Sequence, residues 1–280
     1  MKKNVVIIVI IVILSIITGF SIYKLYSVNN AALQLSGELL VQTDARYFDI
    51  YDFDAKKFEG HKINRFNARM LAGTPYVFSC LYDIERYDKN TRTKTTFETN
   101  YDYLIKNIIP INDNWVYILR TDRIVKYSFD PGYSEIILPD KVESFDYNAK
   151  TKDIYYETVS GIFKYNESNK TVIPLLSSGI EPKVSPDNSY LACRNKTVPN
   201  KLEILDMNTN QIKQISLNTK VVSYCFSPDS KYIAILKPEG FHLFSKFKYE
   251  SYEVLLWDHK SNKKYVVLRD LNKICDIDWQ

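Results

Sequence analysis

The octapeptide Ser185-Pro186-Asp187-Asn188-Ser189-Tyr190-Leu191-Ala192 recurs 42 residues later as Ser227-Pro228-Asp229-Ser230-Lys231-Tyr232-Ile233-Ala234. In both copies a Ser-Pro-Asp turn leads into a short apolar strand. Proline fixes φ at the second turn position, and the Asp side chain accepts backbone N–H groups ahead of it, so the turn is specified locally. A turn-plus-strand unit returning at this period is that of a four-stranded β-propeller blade. It commits nearly the whole chain to an all-β architecture.

A second repeat is less obvious. An aromatic or aliphatic residue followed by Asp or Asn closes a short apolar strand at Phe53-Asp54, Tyr87-Asp88, Phe129-Asp130, Tyr165-Asn166, Leu205-Asp206 and Trp257-Asp258. The polar positions are separated by 34, 42, 36, 40 and 52 residues. Strands before these turns alternate on one face, as in Val125/Tyr127/Phe129, the period-two pattern of a half-buried strand. Each blade therefore reads as four strands, A to D. In the fifth, A ends near Val184, B is Tyr190–Arg194, C is Leu202–Leu205 and D is Gln211–Ser216. In the sixth they are Val221–Phe226, Tyr232–Leu236, Tyr252–Trp257 and Lys264–Leu268. The third and fourth blades have degenerate A–B turns at Ile111–Asn114 and Tyr147–Lys150. Between Gly37 and Asp54 there is room for strands B and C but not for A, whereas Lys273–Gln280 reads as an isolated strand A. Pairing the two ends predicts a six-bladed propeller over residues 37–280, closed by its C-terminal strand, which removes an exposed edge.

The stretch Ser227 to Ala234, and likewise Val184 to Ala192, resembles the blade motif of TolB-type propellers, close to hydrophobic-Ser-Pro-Asp-Gly-Lys-x-Ile-Ala. Asn188 and Ser230 stand where that motif has glycine. The resemblance implies a six-bladed ring and says little of activity. Relatives use the repeat in envelope scaffolds and beside the α/β-hydrolase domain of prolyl-oligopeptidase-like enzymes, for which no residues remain here. Trp257-Asp258 also resembles the end of a WD repeat, without its Gly-His partner.

Val5 to Tyr23 is 19 residues without a charge, enough for a helix to cross a hydrocarbon core of about 30 Å. Lys2 and Lys3 precede it and Lys24 follows, so the positive-inside rule keeps the N-terminus cytoplasmic and exports the rest. The apolar run is longer than the ~7–15 residues of a cleaved signal peptide. The organisation predicted is a transmembrane signal anchor over 1–23, a tether over 24–36 and an extracytoplasmic propeller over 37–280. Residues 1–36 hold three lysines and no acid, so of the net charge of +4 only about +1 belongs to the propeller. Without a basic stripe, nucleic-acid binding has no electrostatic support. Of the four cysteines, Cys80 and Cys193 fall on opposite sides of the ring, beyond the ~7 Å that a bridge allows. Cys225 and Cys275 lie on neighbouring inner strands at offset heights, and buried free thiols are expected.

No nucleophile elbow, zinc-protease helix or phosphate loop is present, and no catalytic residue, metal ligand or cofactor is assigned. His61 and His259 read as solvated turn residues. The sixth blade alone is enlarged, by the segment Lys237 to Tyr252 between strands B and C. It sets Phe241, His242, Phe244, Phe247, Tyr249 and Tyr252 among three lysines, a composition suited to a partner surface. Asp276 and Asp278 share a strand face and read as funnel-lining acids; Asp49, Asp52 and Asp54 form a second acidic group. The expected function is a non-catalytic interaction or scaffold module of the bacterial envelope, binding another envelope or membrane protein. The alternative is a propeller enzyme or small-ligand sensor working through the central funnel.

Overall fold

The computed structural model describes residues 33, 35–43, 47–60, 63–64, 67–99, 104–130, 133–138, 141–239, 251–272 and 274–280. No helix occurs among them; twenty-five strands form six antiparallel sheets arranged as blades. The first contains β1 (Glu38–Thr43), β2 (Tyr47–Asp52), β3 (Lys57–Phe58) and β4 (Ile63–Asn64). The second is β5 (Arg69–Met70), β6 (Tyr76–Cys80), β7 (Ile84–Asp88) and β8 (Thr93–Phe97). The third is β9 (Ile105–Asn112), β10 (Trp115–Arg120), β11 (Arg123–Ser128) and β12 (Ser134–Leu138). The fourth is β13 (Ser144–Asn148), β14 (Asp153–Thr158), β15 (Gly161–Asn166) and β16 (Thr171–Leu176). The fifth is β17 (Gly179–Val184), β18 (Tyr190–Asn195), β19 (Lys201–Asp206) and β20 (Gln211–Ser216). The sixth is β21 (Ser223–Phe226), β22 (Tyr232–Pro238), β23 (Ser251–Asp258) and β24 (Lys263–Asn272). The last strand, β25 (Ile274–Trp279), pairs antiparallel with β1, with Leu39 opposite Trp279 and Val41 opposite Ile277.

The hydrophobic core is not a single mass. Buried side chains fall into six clusters, and each lies between two neighbouring blades. Leu39, Leu256 and Trp279 share the cluster between blades six and one; Tyr155 and Leu191 share that between four and five. Strand alternation explains this, because each face of a blade presents every second residue to a different neighbour. The outermost strands face solvent, leaving Ile136, Val172, Ile173 and Ile212 exposed.

The Asp/Asn repeat is real, but two of its six positions move. Asp88 Oδ1 accepts the N–H groups of Asn90 and Thr91 at 2.8 and 3.2 Å, and Asn166, Asp206 and Asp258 do the same for their own turns. In blade one the acceptor is Asp52, with Asp54 donating its N–H at 2.8 Å. In blade three it is Ser128, whose hydroxyl receives the Asp130 N–H at 3.2 Å. Any short side chain with an acceptor oxygen closes this turn, so the neighbouring aromatic-acid pairs were misleading by two residues.

The Ser-Pro-Asp turns follow one plan. Ser185 and Ser227 each donate to the turn Asp at 2.6 Å and accept the Tyr190 or Tyr232 N–H at 2.9 Å. Asn188 and Ser230 have φ of 61° and 59°, the left-handed region that favours glycine. Their side chains join blades instead. The Tyr155 hydroxyl hydrogen-bonds Asn188 Oδ1 at 2.7 Å, and Ser230 Oγ accepts the Asp187 N–H at 3.1 Å.

His259 belongs to this rim and is not solvated. It is 1% exposed, with Nε2 at 3.2 Å from the Ser230 carbonyl and its ring edge-on to Tyr190. The turn between β23 and β24 folds back over blade five, which sequence position alone did not reveal. Burial lowers its pKa below the usual 6.5, so the folded state favours the neutral ring. The unfolded chain takes up a proton near pH 6.5, and the stabilisation, full above that pH, is lost as pH falls through it. Melting curves between pH 7 and 5 are therefore expected to fall further for the wild type than for His259→Gln, by roughly 2–4 °C for each kcal/mol of linkage. Asp146 and Glu157, whose pKa values burial raises, act in the opposite sense in both proteins and cancel in the comparison. Parallel curves would show that His259 does not titrate on unfolding.

Candidate functional site

The inner strands surround a central channel, and their polar side chains cross every seam between blades. Asp278 Oδ2 accepts the Met70 N–H at 2.9 Å and Gln42 Oε1 accepts that of Ala68 at 2.9 Å, joining blades one and two. Asn67 donates to the Ile105 carbonyl and Asn107 to that of Phe145, at 3.4 and 3.3 Å, joining two to three and three to four. Asp146 Oδ2 accepts the Val184 N–H at 2.8 Å across the next seam. The Tyr224 hydroxyl donates to the Glu181 carbonyl, and the Ser223 hydroxyl donates to Asp276, completing five to six and six to one. A backbone N–H or C=O facing the channel needs a partner, and a short polar side chain on the adjacent inner strand supplies it.

Arg69 and Lys183 stand at the waist. Both border a chamber of about 330 Å³ on the face of the Ser-Pro-Asp turns and a second of about 400 Å³ on the opposite face. The first also meets Asp146, Asp278, Ile109, Ile111 and Phe226; the second meets Ser144, Ser223 and Asp276. Arg69 Nη1 contacts Asp276 Oδ2 at 2.6 Å. Burial pushes the Asp276 pKa up, but Arg69, Lys183 and the Ser223 hydroxyl together hold it below the usual carboxylate value. Burial wins at Asp146 and raises it, against Lys183 and the N–H groups of Val184 and Tyr147. Asp276 and Asp278 are thus channel acids, as their spacing implied. Of the other acidic group, Asp49 Oδ1 accepts the Ile50 and Gly60 N–H groups, and Asp52 closes its turn. Arg69, Asp146 and Lys183 were not singled out from the sequence.

All four cysteines are free. Burial raises Cys80 and Cys193 to about 12 and Cys225 well above its usual value, so these three remain unreactive thiols. Cys275 departs from expectation in being exposed, because the ladder to β1 slips by one residue there: Asp276 lies opposite Gln42 and Ile274 opposite Thr43, which places Cys275 in a bulge. Among the described residues no three His, Cys, Asp or Glu side chains group at metal-binding distance.

Of the aromatic insertion, Phe241, His242, Phe244, Phe247 and Tyr249 lie outside the described residues, as do His61 and the proposed anchor. No helix among the described residues is long and apolar enough to cross a membrane. Tyr252 is described: it pairs with Pro238, is 8% exposed and packs in the core between blades six and one. Its ring therefore supports the stem of the insertion. Strands β22 and β23 continue that stem, with Lys237 paired to Glu253 and Arg269 Nε 3.5 Å from the same carboxylate. The stem rises on the face of the 400 Å³ chamber, where B–C loops leave the ring.

No protein-family model and no curated protein matches the chain. Among solved structures it is similar to Kluyveromyces lactis Hsv2, at TM-score 0.52 and 12% identity over 85% of this chain and 95% of that one. A form of KlHsv2 with loop 6CD replaced by a Gly-Ser linker gives TM-score 0.56 and 11% identity over 84% and 94%. Identity this low carries architecture and nothing of ligand or partner. Strand order, six inter-blade cores and this likeness agree on one conclusion: the chain is a six-bladed β-propeller.

Proposed function

We propose that the protein is a TolB-type propeller held outside the cytoplasmic membrane by a helix over residues 5–23, closed by β25, and acting as a non-catalytic interaction or scaffold module of the bacterial envelope. The observation that carries this reading is the use of the channel's polar groups: Asp146, Asp276, Asp278, Asn67 and Asn107 each hold a neighbouring blade. Side chains so engaged make a rigid ring, and a rigid ring is a platform for loops. The only blade enlarged in the sequence is the sixth, and its insertion between Glu239 and Ser251 carries Phe241, Phe244, Phe247 and Tyr249 with Lys246 and Lys248. The partner is another membrane or envelope protein; no cofactor is required.

The test is crosslinking and affinity capture of the full-length protein from its native membrane, beside a variant with residues 240–250 replaced by a two-residue turn. The Glu239 N–H already donates to the Ser251 carbonyl at 2.8 Å, so the stem accepts the shorter connection. An unchanged melting temperature with loss of the co-purifying protein is expected. A partner retained at the wild-type level would move the contact surface away from blade six.

A further inference from the structure

Ring assembly uses only part of the charge in the channel, and Lys183, Asp146 and Asp278 all border the chamber on the face opposite the β22–β23 stem. The Lys183 side chain makes no hydrogen bond or ion pair with any described residue; the waist's other cation, Arg69, already engages Asp276. Asp278 uses Oδ2 for the Met70 N–H, and among the described residues no group hydrogen-bonds its Oδ1. Asp146 stands in the same chamber, close enough for Lys183 to act on its ionisation. Setting aside the Arg69–Asp276 pair and Lys150, which is exposed to solvent, the chamber thus presents one cation and two carboxyl groups. Above them Ile109, Ile111 and Phe226 give apolar walls. At about 330 Å³ the space falls at the lower end of the ~300–1,000 Å³ typical of small-ligand pockets.

Charged groups withdrawn from bulk water are stable only when matched. A purely anionic guest would meet Asp146 and Asp278, and a purely cationic one would meet Lys183. A guest carrying both signs on adjacent atoms, with an apolar remainder, satisfies all three groups and the walls. We propose that this chamber binds a free α-amino acid with an apolar side chain, its carboxylate on Lys183, its ammonium on Asp278 and Asp146, and its side chain between Ile109, Ile111 and Phe226. The site is independent of the partner surface on the opposite face, so either reading can fail while the other stands.

The test uses full-length protein in detergent. A melting-temperature screen of the standard α-amino acids at millimolar concentration selects the probe, followed by calorimetry. If leucine is selected, its half-ligands are isoamylamine, which lacks the carboxylate, and 4-methylpentanoate, which lacks the amine. Saturable one-to-one binding of the amino acid is expected, with each half-ligand weaker by about tenfold or more. Lys183→Met should reduce leucine to the affinity of isoamylamine. Asp278→Asn keeps an oxygen for the Met70 N–H and should reduce leucine to the affinity of 4-methylpentanoate. The proposal is overturned if no amino acid binds, if a half-ligand binds as tightly as the zwitterion, or if Lys183→Met leaves affinity unchanged while its melting temperature matches the wild type.

Discussion

A chain ending before residue 273 is expected to yield no soluble, cooperatively melting propeller. Strand β25 contributes Ile274, Ile277 and Trp279 to the core between blades six and one, at 6%, 1% and 3% exposure. Their burial stabilises by about 2–3 kcal/mol apiece, before the ladder to β1 is counted, against a total of roughly 5–15 kcal/mol for a folded domain. The loss also bares the edge of β1 and takes both Asp276 and Asp278 from the Arg69 guanidinium. An open, apolar strand edge recruits other chains. Expression should therefore give aggregate, while the point variant Trp279→Ala should remain soluble and lose about 3–5 kcal/mol in denaturant unfolding. The control is Cys275→Ser, at the exposed bulge of the same strand, which should shift stability by no more than about 0.5 kcal/mol. A truncated protein that melts in one sharp transition would refute ring closure by this strand.

The second large effect is expected at the waist. Arg69 and Asp276 have side-chain exposures of 11% and 22%. Replacing the guanidinium by an apolar chain, Arg69→Met, leaves a carboxylate in the channel with no cation nearer than Lys183, held by the Ser223 hydroxyl and the Ile277 N–H alone. Stranding one member of such a pair costs about 3 kcal/mol. Removing the second charge as well, in Arg69→Met/Asp276→Asn, should recover at least half of that, because a neutral amide still accepts the Ser223 hydroxyl. Denaturant midpoints of the two single variants and the double variant give the coupling directly. If the double variant is no more stable than Arg69→Met alone, the pair is not the reason Arg69 is needed, and its hydrogen bond to the Ala68 carbonyl becomes the alternative.

Much of the fold was readable locally because propeller blades are built from local instructions. Strands β18 and β20 fall within a residue of the positions that Tyr190–Arg194 and Gln211–Ser216 suggested. The turns that part them are closed by side chains two or three residues away. Where a local rule has several solutions, the reading slipped. Phe53-Asp54 and Phe129-Asp130 looked like turn closers, but Asp52 and Ser128 do that work, since a hydroxyl or an earlier carboxylate serves equally well. His259 failed for a different reason: its burial comes from Tyr190 and Phe226, the former on another blade, and no window of sequence contains that contact.

The channel marks the same boundary. Asp276 and Asp278 could be assigned to one strand face because the β period is two. That Asp276 meets Arg69, more than two hundred residues away, while Asp278 holds the Met70 N–H, depends on how six sheets are rotated about a common axis. The sequence by itself determined the blade, its turns, the number of repeats and the one enlarged loop, all set by φ preferences, alternation and side-chain-to-backbone hydrogen bonds over a few residues. Only the tertiary structure decided which polar groups the ring consumes and which, like Lys183, it leaves facing the channel, because pairing between blades is fixed by packing across distant segments rather than by any property of the segments themselves.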